Sequence, residues 1–458
     1  MGINIDKVDP LDIKINQLQG IKDQNKRLQF ADKLVHSYPN HPKPHLELLK
    51  CFHEVSHPLQ FDQANNYAKI LQKWLIKTGI AELNMEFIKP ATVIGSLGNH
   101  YCIESLIKAN QSGLRESKKI FLLLPENSQL RNSALFSYFE PHLNLIQDRE
   151  SIQALKNLEP ILTLHLGIGL LLNNRFPFLD IGRNLAEIEC NRRGLGSALF
   201  ELSDLHHEMG EQALKKLGLP SDAWYVTLHV REPGYRGENR QNTTENWRNS
   251  NPLDYIKACQ VITKAGGWVF RMGDPSMTPF PSMPRVIDYA LNDIRSDWMD
   301  VFLGATSRFT LATGSGYYHI PSFFGVPYIL TNYPGFVPYY GMRNKDLYVP
   351  RWLKNIQTNE LISFEEYMSP AVSTIWSEKS FYNAGLHWVE NTPEELEVAT
   401  IEMLERTDPN LSSGITENHL QKKFKTLAEA CGYQYGNNSV KAFASISRDF
   451  IEKYSDLL

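Results

Sequence analysis

Cysteine is scarce, and its placement excludes more than its number does. The five cysteines fall at 51, 102, 190, 259 and 431, with no CxxC pair and no close Cys/His spacing. Zinc ribbons and disulfide frameworks are not built that way; the pattern predicts a reducing compartment and buried thiols. A long hydrophobic run is missing too. The longest apolar stretch, ILTLHLGIGLLL at 161–172, is interrupted by His165 and two glycines and falls short of the ~20 residues a bilayer requires. The opening MGINIDKVDPLDIKINQ lacks the cationic start and apolar stretch of a signal peptide. Asp6 stands where a myristoylation signal wants Ser or Thr, so Gly2 is read as incidental. Charge of one sign is also absent: 47 basic and 51 acidic side chains leave a formal charge of −4. Such a surface has no general attraction for nucleic acid or anionic lipid. No GxxxxGK[ST] and no GxGxxG occurs, which disfavours a P-loop ATPase or an ordinary dinucleotide fold.

What is present forms cores. A hydrophobic fraction of 42% and an aromatic fraction of 11% are too high for a disordered chain. The 458 residues predict a soluble protein of two or three domains. Residues 1–85 read as a helical extension, since ADKLVHSYPNHPKPHLELLKCFHEV and FDQANNYAKILQKWLI carry apolar residues at three- and four-residue spacing. Similar runs from Ala31 and Ala68 look like degenerate tetratricopeptide-type hairpins; the alternative is a helical cap on the next domain.

From about Ala91 the period changes. ATVIGSLGNH, KKIFLLLPEN and HLNLIQD read as strands, CIESLIKANQSG as a helix, and 185–218 as helical, giving a Rossmann-like domain over 86–220. A second such domain spans 221–410, with strands AWYVTLHVRE, GWVFRMGD, RVIDYA, RFTLATGSG and VPYILTN separated by helices. Thr392-Pro393-Glu394-Glu395 marks a helix start, and 411–458 reads as helices packing back on the core. The fold class is therefore α/β, two Rossmann-like domains facing a cleft. Ligands of such sheets bind beyond the carboxyl ends of the strands.

Three segments carry candidate chemistry. In LHVREPGYRGENR, alternation puts His229 and Arg231 on one face at a strand end. The planar fork of arginine suits a diphosphate; the alternative is Arg231 paired to a carboxylate such as Glu232 or Asp274. Arg236 and Arg240 are as readily a solvated loop. VFRMGDPSM delivers Arg271, then Gly273 and Asp274 at a turn, where Asp274 serves the turn or a ligand. FTLATGSGYYHIPSFFGVPYILTN runs from a strand through Gly314, Ser315 and Gly316 into a helix expected from about Tyr317, a source of backbone N–H groups for an anion. Asn332 ends the next strand at the same mouth. Asp297 and Asp300 follow Ser296 as a capped helix start, structural or close to the ligand, and do not form the Asp-x-Asp of a metal-held sugar nucleotide. In the first domain, His100 stands where a general base would face the ligand, or serves as a cap or turn residue.

In order along residues 90–410, and most densely over 224–335, the chain resembles a group of bacterial glycosyltransferases linked to surface polysaccharides. The runs VTLHVREPGYRG, RNSNPLDYIKA, GWVFRMGDPSM, IDYALNDIRSDWMDVFL and RFTLATGSGYYHIPSFFGVPYILTN carry the likeness. The His-x-Arg is also similar to that of fucosyltransferases of GT-B type. The resemblance implies a GT-B fold in which the first domain binds a saccharide or lipid-linked saccharide acceptor and the second binds a nucleotide-sugar donor. It implies no cofactor and no bound metal, in a cytoplasmic enzyme, peripheral at the inner face of the membrane. Arg231, with Gly314, Ser315 and Gly316, then holds the departing diphosphate, and His229 belongs to the same catalytic group. Arg271, Gly273, Asp274, Asp297 and Asn332 are donor candidates, Asp288 in Val286–Tyr289 flanks the base, and His100 takes the acceptor proton. The rivals are a GT-B-fold sugar-nucleotide epimerase or polysaccharide pyruvyl transferase, and a non-catalytic scaffold whose N-terminal helices recruit a protein partner.

Overall fold

The computed structural model describes residues 9–54, 59–77, 85–88, 100–111, 117, 119–124, 128, 130, 132–156, 198–233, 246–333, 343, 345–373, 375, 378–410, 419–430 and 444–458. The chain opens with helices α1 (Pro10–Gln19), α2 (Gln24–Ser37), α3 (Pro42–Glu54) and α4 (Gln60–Lys77). Asp9 and Asp23 start the first two by accepting backbone N–H groups, and Pro10 occupies the first helical position of α1. Leu11, Ile15, Leu18, Ala31, Leu34, Leu48 and Cys51 gather into a core separate from the two larger ones.

The first α/β unit holds three parallel strands in the order β1 (Met85–Ile88), β2 (Lys119–Leu123) and β3 (Asn144–Ile146). The strand expected over ATVIGSLGNH lies, up to residue 99, outside the described residues; β1 is upstream of it. Helices α5 (His100–Gln111), α6 (Ser133–Phe139) and α7 (Arg149–Lys156) follow their strands. Of the helix expected over 185–218, residues 185–197 are outside the described set and 198–203 are not helical. Ala198 bridges to Phe324, and α8 (Asp204–Lys216) starts only where the Ser203 hydroxyl accepts the His206 N–H.

The large sheet has seven strands: β4 (Tyr225–His229), β5 (Trp268–Arg271), β6 (Val286–Ile287), β7 (Phe309–Thr313), β8 (Tyr328–Tyr333), β9 (Leu347–Pro350) and β12 (Ser445–Ile446). Their order is β12-β9-β8-β7-β4-β5-β6, and every neighbouring pair is parallel. The connections include α9 (Ile256–Lys264), α10 (Asp297–Thr306) and α11 (His319–Phe323). Leaving aside the edge strand β12, the chain steps outward first on one side of β4 and then, from β7, on the other. That is the doubly wound order, with its reversal between β4 and β7.

Alternate side chains of β4 enter two cores. Val226 and Leu228 join Ala258, Cys259 and Ile262 of α9, while Tyr225 joins Met299, Phe302 and Leu303 of α10. The second core also contains Ile103, Ile120, Leu135, Phe136 and Phe139, so the two α/β units share it. The antiparallel pair β10 (Trp352–Asn355) and β11 (Leu386–Val389) has no counterpart in the sequence expectations. Between its strands come α12 (Phe364–Met368), α13 (Pro370–Ser373) and α14 (Glu378–Asn383). Thr392 and Glu395 form a reciprocal cap on α15 (Pro393–Arg406). In the last segment, α16 (His419–Ala430) and α17 (Arg448–Lys453) are helical as expected, but β12 between them extends the sheet. No helix among the described residues is long and apolar enough to cross a membrane.

Candidate active site at the centre of the large sheet

β4 and β7 lie side by side, with His229 paired in register to Ala312. The chain departs from them in opposite directions, and in sheets of this order ligands bind beyond the carboxyl ends of the strands at such a reversal. Arg231 lies there, just past β4. Its backbone N–H donates to Thr313 Oγ1 at 2.8 Å, and its carbonyl accepts the Ser250 N–H at 3.0 Å. Its guanidinium donates to Asn249 Oδ1. Arg248 donates through Nε and Nη2 to the Gly314 carbonyl, at 3.2 and 2.6 Å. Arg351, directly after β9 and 2% exposed, donates through Nη2 to the Asn249 carbonyl, to Ser250 Oγ at 3.1 Å and to Glu390 Oε1 at 3.0 Å. Residues 246–251 thus form a strap bonded to the ends of β4, β7 and β9. Trp247 stacks on Trp388 of β11 with centroids 5.6 Å apart and planes 10° apart.

His229 is held beside the strap. Its Nδ1 and Ser315 Oγ are 3.0 Å apart, Ser315 Oγ accepts the Tyr317 N–H at 3.3 Å, and the imidazole stacks on Tyr317 at 5.3 Å. Burial, reinforced by the charge of Arg271, pulls the His229 pKa down to about 4. The ring is therefore neutral at physiological pH: it orients Ser315, and it is too weak a base to deprotonate a hydroxyl efficiently. The helix after Ser315 begins at His319 rather than Tyr317 and has five residues, so its dipole is small. The charge at these strand ends comes from the arginines.

Several candidates have partners inside the protein. Arg271 is fully buried; Nη2 donates to Glu232 and to the Thr278 carbonyl, and Nη1 donates to Asp288 at 3.2 Å. Asp288 also accepts the Phe280 N–H, and Glu232 the Thr278 N–H, which closes the loop after β5. Gly273 has φ +153°, and a Cβ there would meet Met277 Sδ at 2.0 Å, so its own turn requires the glycine. Asp274 accepts the Ser276 N–H at 2.9 Å, as a turn residue does. Asp297 Oδ2 accepts from Ser133 N at 2.8 Å and Ser133 Oγ at 3.1 Å, and its carbonyl accepts from Asn132, tying the first unit to α10. Asn332 has φ +48° at a register shift in β8; it exchanges hydrogen bonds with Asn391 and donates to Tyr255. Gly316 lies in the turn and accepts the His319 N–H at 3.4 Å. His100 is the first residue of α5, which packs against α11. Arg236 and Arg240 lie outside the described residues.

Sequence reasoning missed Arg248, Asn249 and Arg351. The available signals were Asn251-Pro252, which starts a helical turn and so ends the preceding loop at a strand mouth, and the basic residue directly after LYVP. Asp300 gained a sharper role. Burial pushes its carboxyl up to about 7, while its hydrogen bond with Tyr289 works the other way. A raised folded-state pKa gives stability that is complete below the ordinary carboxylate value of 3.8 and is lost as pH rises to about 7. Asp300→Asn is therefore expected to flatten the decline in melting temperature between pH 4 and 7 and to exceed wild type at pH 8. Identical pH profiles for the two proteins would contradict that assignment. Among the described residues no cluster of His, Cys, Asp and Glu has the arrangement to hold a metal ion.

No protein-family model and no curated protein matches the chain. Among solved structures, a glycosyl transferase family 9 protein from Veillonella parvula aligns over 58% of this chain and 85% of its own, with 12% identity and a TM-score of 0.35. Similarity at that level leaves the functional reading to the geometry of this chain.

Proposed function

We propose that the protein moves a glycosyl group from a nucleotide-diphosphate sugar to a hydroxyl of a saccharide or lipid-linked saccharide. The observation that supports this best is the convergence of Arg231 and Arg248 on the ends of β4 and β7, where the strand order reverses. A departing diphosphate gains negative charge as the glycosidic bond breaks, and pre-positioned guanidinium groups stabilise that charge without reorganising. In this reading the arginines carry the role a metal has in other transferases. Ser315, steadied by His229, contributes a hydroxyl. The proton of the acceptor goes to a base on the first α/β unit, for which His100 at the start of α5 is the candidate. The reaction belongs in the cytoplasm, at the inner face of the membrane when the acceptor is lipid-linked.

An epimerase would need carboxylates at the site to shuttle protons. Among the described residues, Glu232 is engaged by Arg271 and Thr278, Asp274 by Ser276 and Glu390 by Arg351. Transfer is therefore favoured. The test is incubation with UDP-, GDP- and dTDP-sugars and a set of saccharide acceptors, read by product mass. The expected result is an acceptor heavier by one glycosyl residue together with free nucleoside diphosphate. An isomerised sugar without release, a pyruvylated acceptor, or no thermal shift with any nucleoside diphosphate would overturn the proposal.

A further inference from the structure

The first α/β unit meets the second along a seam whose apolar part is tight. Phe139 at the end of α6 lies edge-on to Phe323 of α11 at 5.1 Å and to Phe200 at 4.7 Å, with planes 89° apart in both pairs. Leu135 and Phe136 enter the same core as Met299 and Phe302 of α10. Apolar contact is non-directional: it holds two surfaces together without fixing how they are turned. The direction comes from the start of α6. Asn132 is buried, and its side chain has two tasks. Its Oδ1 accepts the Leu135 N–H at 2.7 Å and so caps α6, while Nδ2 donates across the seam to the Asp297 carbonyl at 3.0 Å. From the other side the Asp297 carboxylate accepts from Ser133 N at 2.8 Å and Ser133 Oγ at 3.1 Å, so one carboxylate serves the N-terminal ends of both α6 and α10.

We infer that Asn132 and Asp297 are positioning residues: they fix the first unit against the large sheet, so that the spacing between the two units is set before ligands arrive rather than closed by them. The catalytic consequence rests on the glycosyl-transfer reading above. In that reading the first unit holds the acceptor hydroxyl and the second holds the diphosphate. The seam then sets the distance from the hydroxyl to the carbon it attacks, and a displacement of about 1 Å costs up to about 10²-fold. A hydroxyl held out of line leaves room for water. The bond from the sugar to the diphosphate breaks as before, the new bond forms to the water oxygen, and the water proton leaves in place of the acceptor's.

The test compares wild type with Asn132→Ser, Asp297→Ala and the double variant. Each is measured by small-angle X-ray scattering with and without UDP, GDP and dTDP, and by the ratio of free sugar to glycosylated acceptor. Serine still caps α6 but is too short to reach the Asp297 carbonyl, which separates loss of the seam from loss of the helix. Wild type is expected to keep one radius of gyration with and without nucleotide. The double variant is expected to have a larger radius without ligand and to raise the ratio about tenfold, with wild-type affinity for the nucleoside diphosphate. Contraction of wild type on binding, or a double variant with the wild-type radius or the wild-type ratio, overturns the inference. A ratio that rises only together with loss of nucleotide affinity also overturns it, because the damage then lies in the large sheet. If wild type transfers from none of the nucleotide sugars, the glycosyl reading fails, and the ligand-free radii decide whether the seam is fixed.

Discussion

Arg231→Ala is expected to leave the protein folded and to lower turnover of its nucleotide-diphosphate sugar by about 10²–10³-fold, the scale of losing one strong donor to a developing anion. The fold survives because Arg231 is built into the sheet mouth by its main chain. Its N–H bond to Thr313 and its carbonyl bond from Ser250 are available to alanine equally. What alanine removes is the guanidinium and its bond to Asn249. Arg231→Lys keeps a positive charge but loses the planar fork and the directed bond, so it should recover only part of the rate. Turnover measured beside a melting curve separates the two roles. Activity within a few-fold of wild type in the alanine variant would remove Arg231 from the mechanism, whereas an equal fall in activity and melting temperature would make it a structural residue.

The parts of the fold legible in the sequence were those with a local cause. β4, β5, β7 and β8 announce themselves as apolar β-rich runs ending in glycine or polar turns. Ser296 and Thr392 announce the helices they cap by side-chain bonds to the third residue along. The edge strand β12 has two residues, and its strand character comes from pairing with Leu347 and Tyr348, nearly a hundred positions away in the chain. The same limit governs the site. Arg231 and Arg271 look alike in sequence, each an arginine near a strand end. Only the folded chain brings Glu232 and Asp288 to Arg271, and Asn249 to Arg231. Asn332 was legible as a strand end but not as a bulge residue, because its positive φ depends on the exchange of hydrogen bonds with Asn391. The anchoring of Asn249 by Arg351 joins strand ends that the sequence does not show to be neighbours.

The largest stability effect should come from a buried charge pair just before β9 that bonds the end of α11 and the start of β8. Asp346 is fully buried and Arg343 nearly so. Asp346 Oδ2 accepts from the Arg343 backbone N–H at 2.6 Å and from Nε at 3.1 Å, and Oδ1 accepts from Nη2 at 3.1 Å. The second oxygen also takes the Tyr328 N–H at 3.1 Å, and Arg343 Nη2 donates onward to the Val326 carbonyl at 2.6 Å. Burial alone would discourage the Arg343 charge, but the carboxylate beside it more than offsets this and raises the pKa of the guanidinium. Removing one partner strands the other in a site without solvent. Asp346→Ala is therefore expected to lower unfolding free energy by about 3–5 kcal/mol. The paired change Arg343→Met with Asp346→Leu removes the charge along with the contact and should recover much of that loss. Denaturant titration of the three variants decides the cause. A single variant within about 1 kcal/mol of wild type, the range of an exposed pair, would show that the pair is not isolated from water. A double variant no better than the single would place the cost in lost packing around Tyr328 rather than in an uncompensated charge. Because Arg343 also reaches the Ser322 carbonyl in α11, the single variant should loosen the turn through Ser315 first. Its nucleotide affinity is then expected to fall at temperatures where the rest of the sheet is still intact.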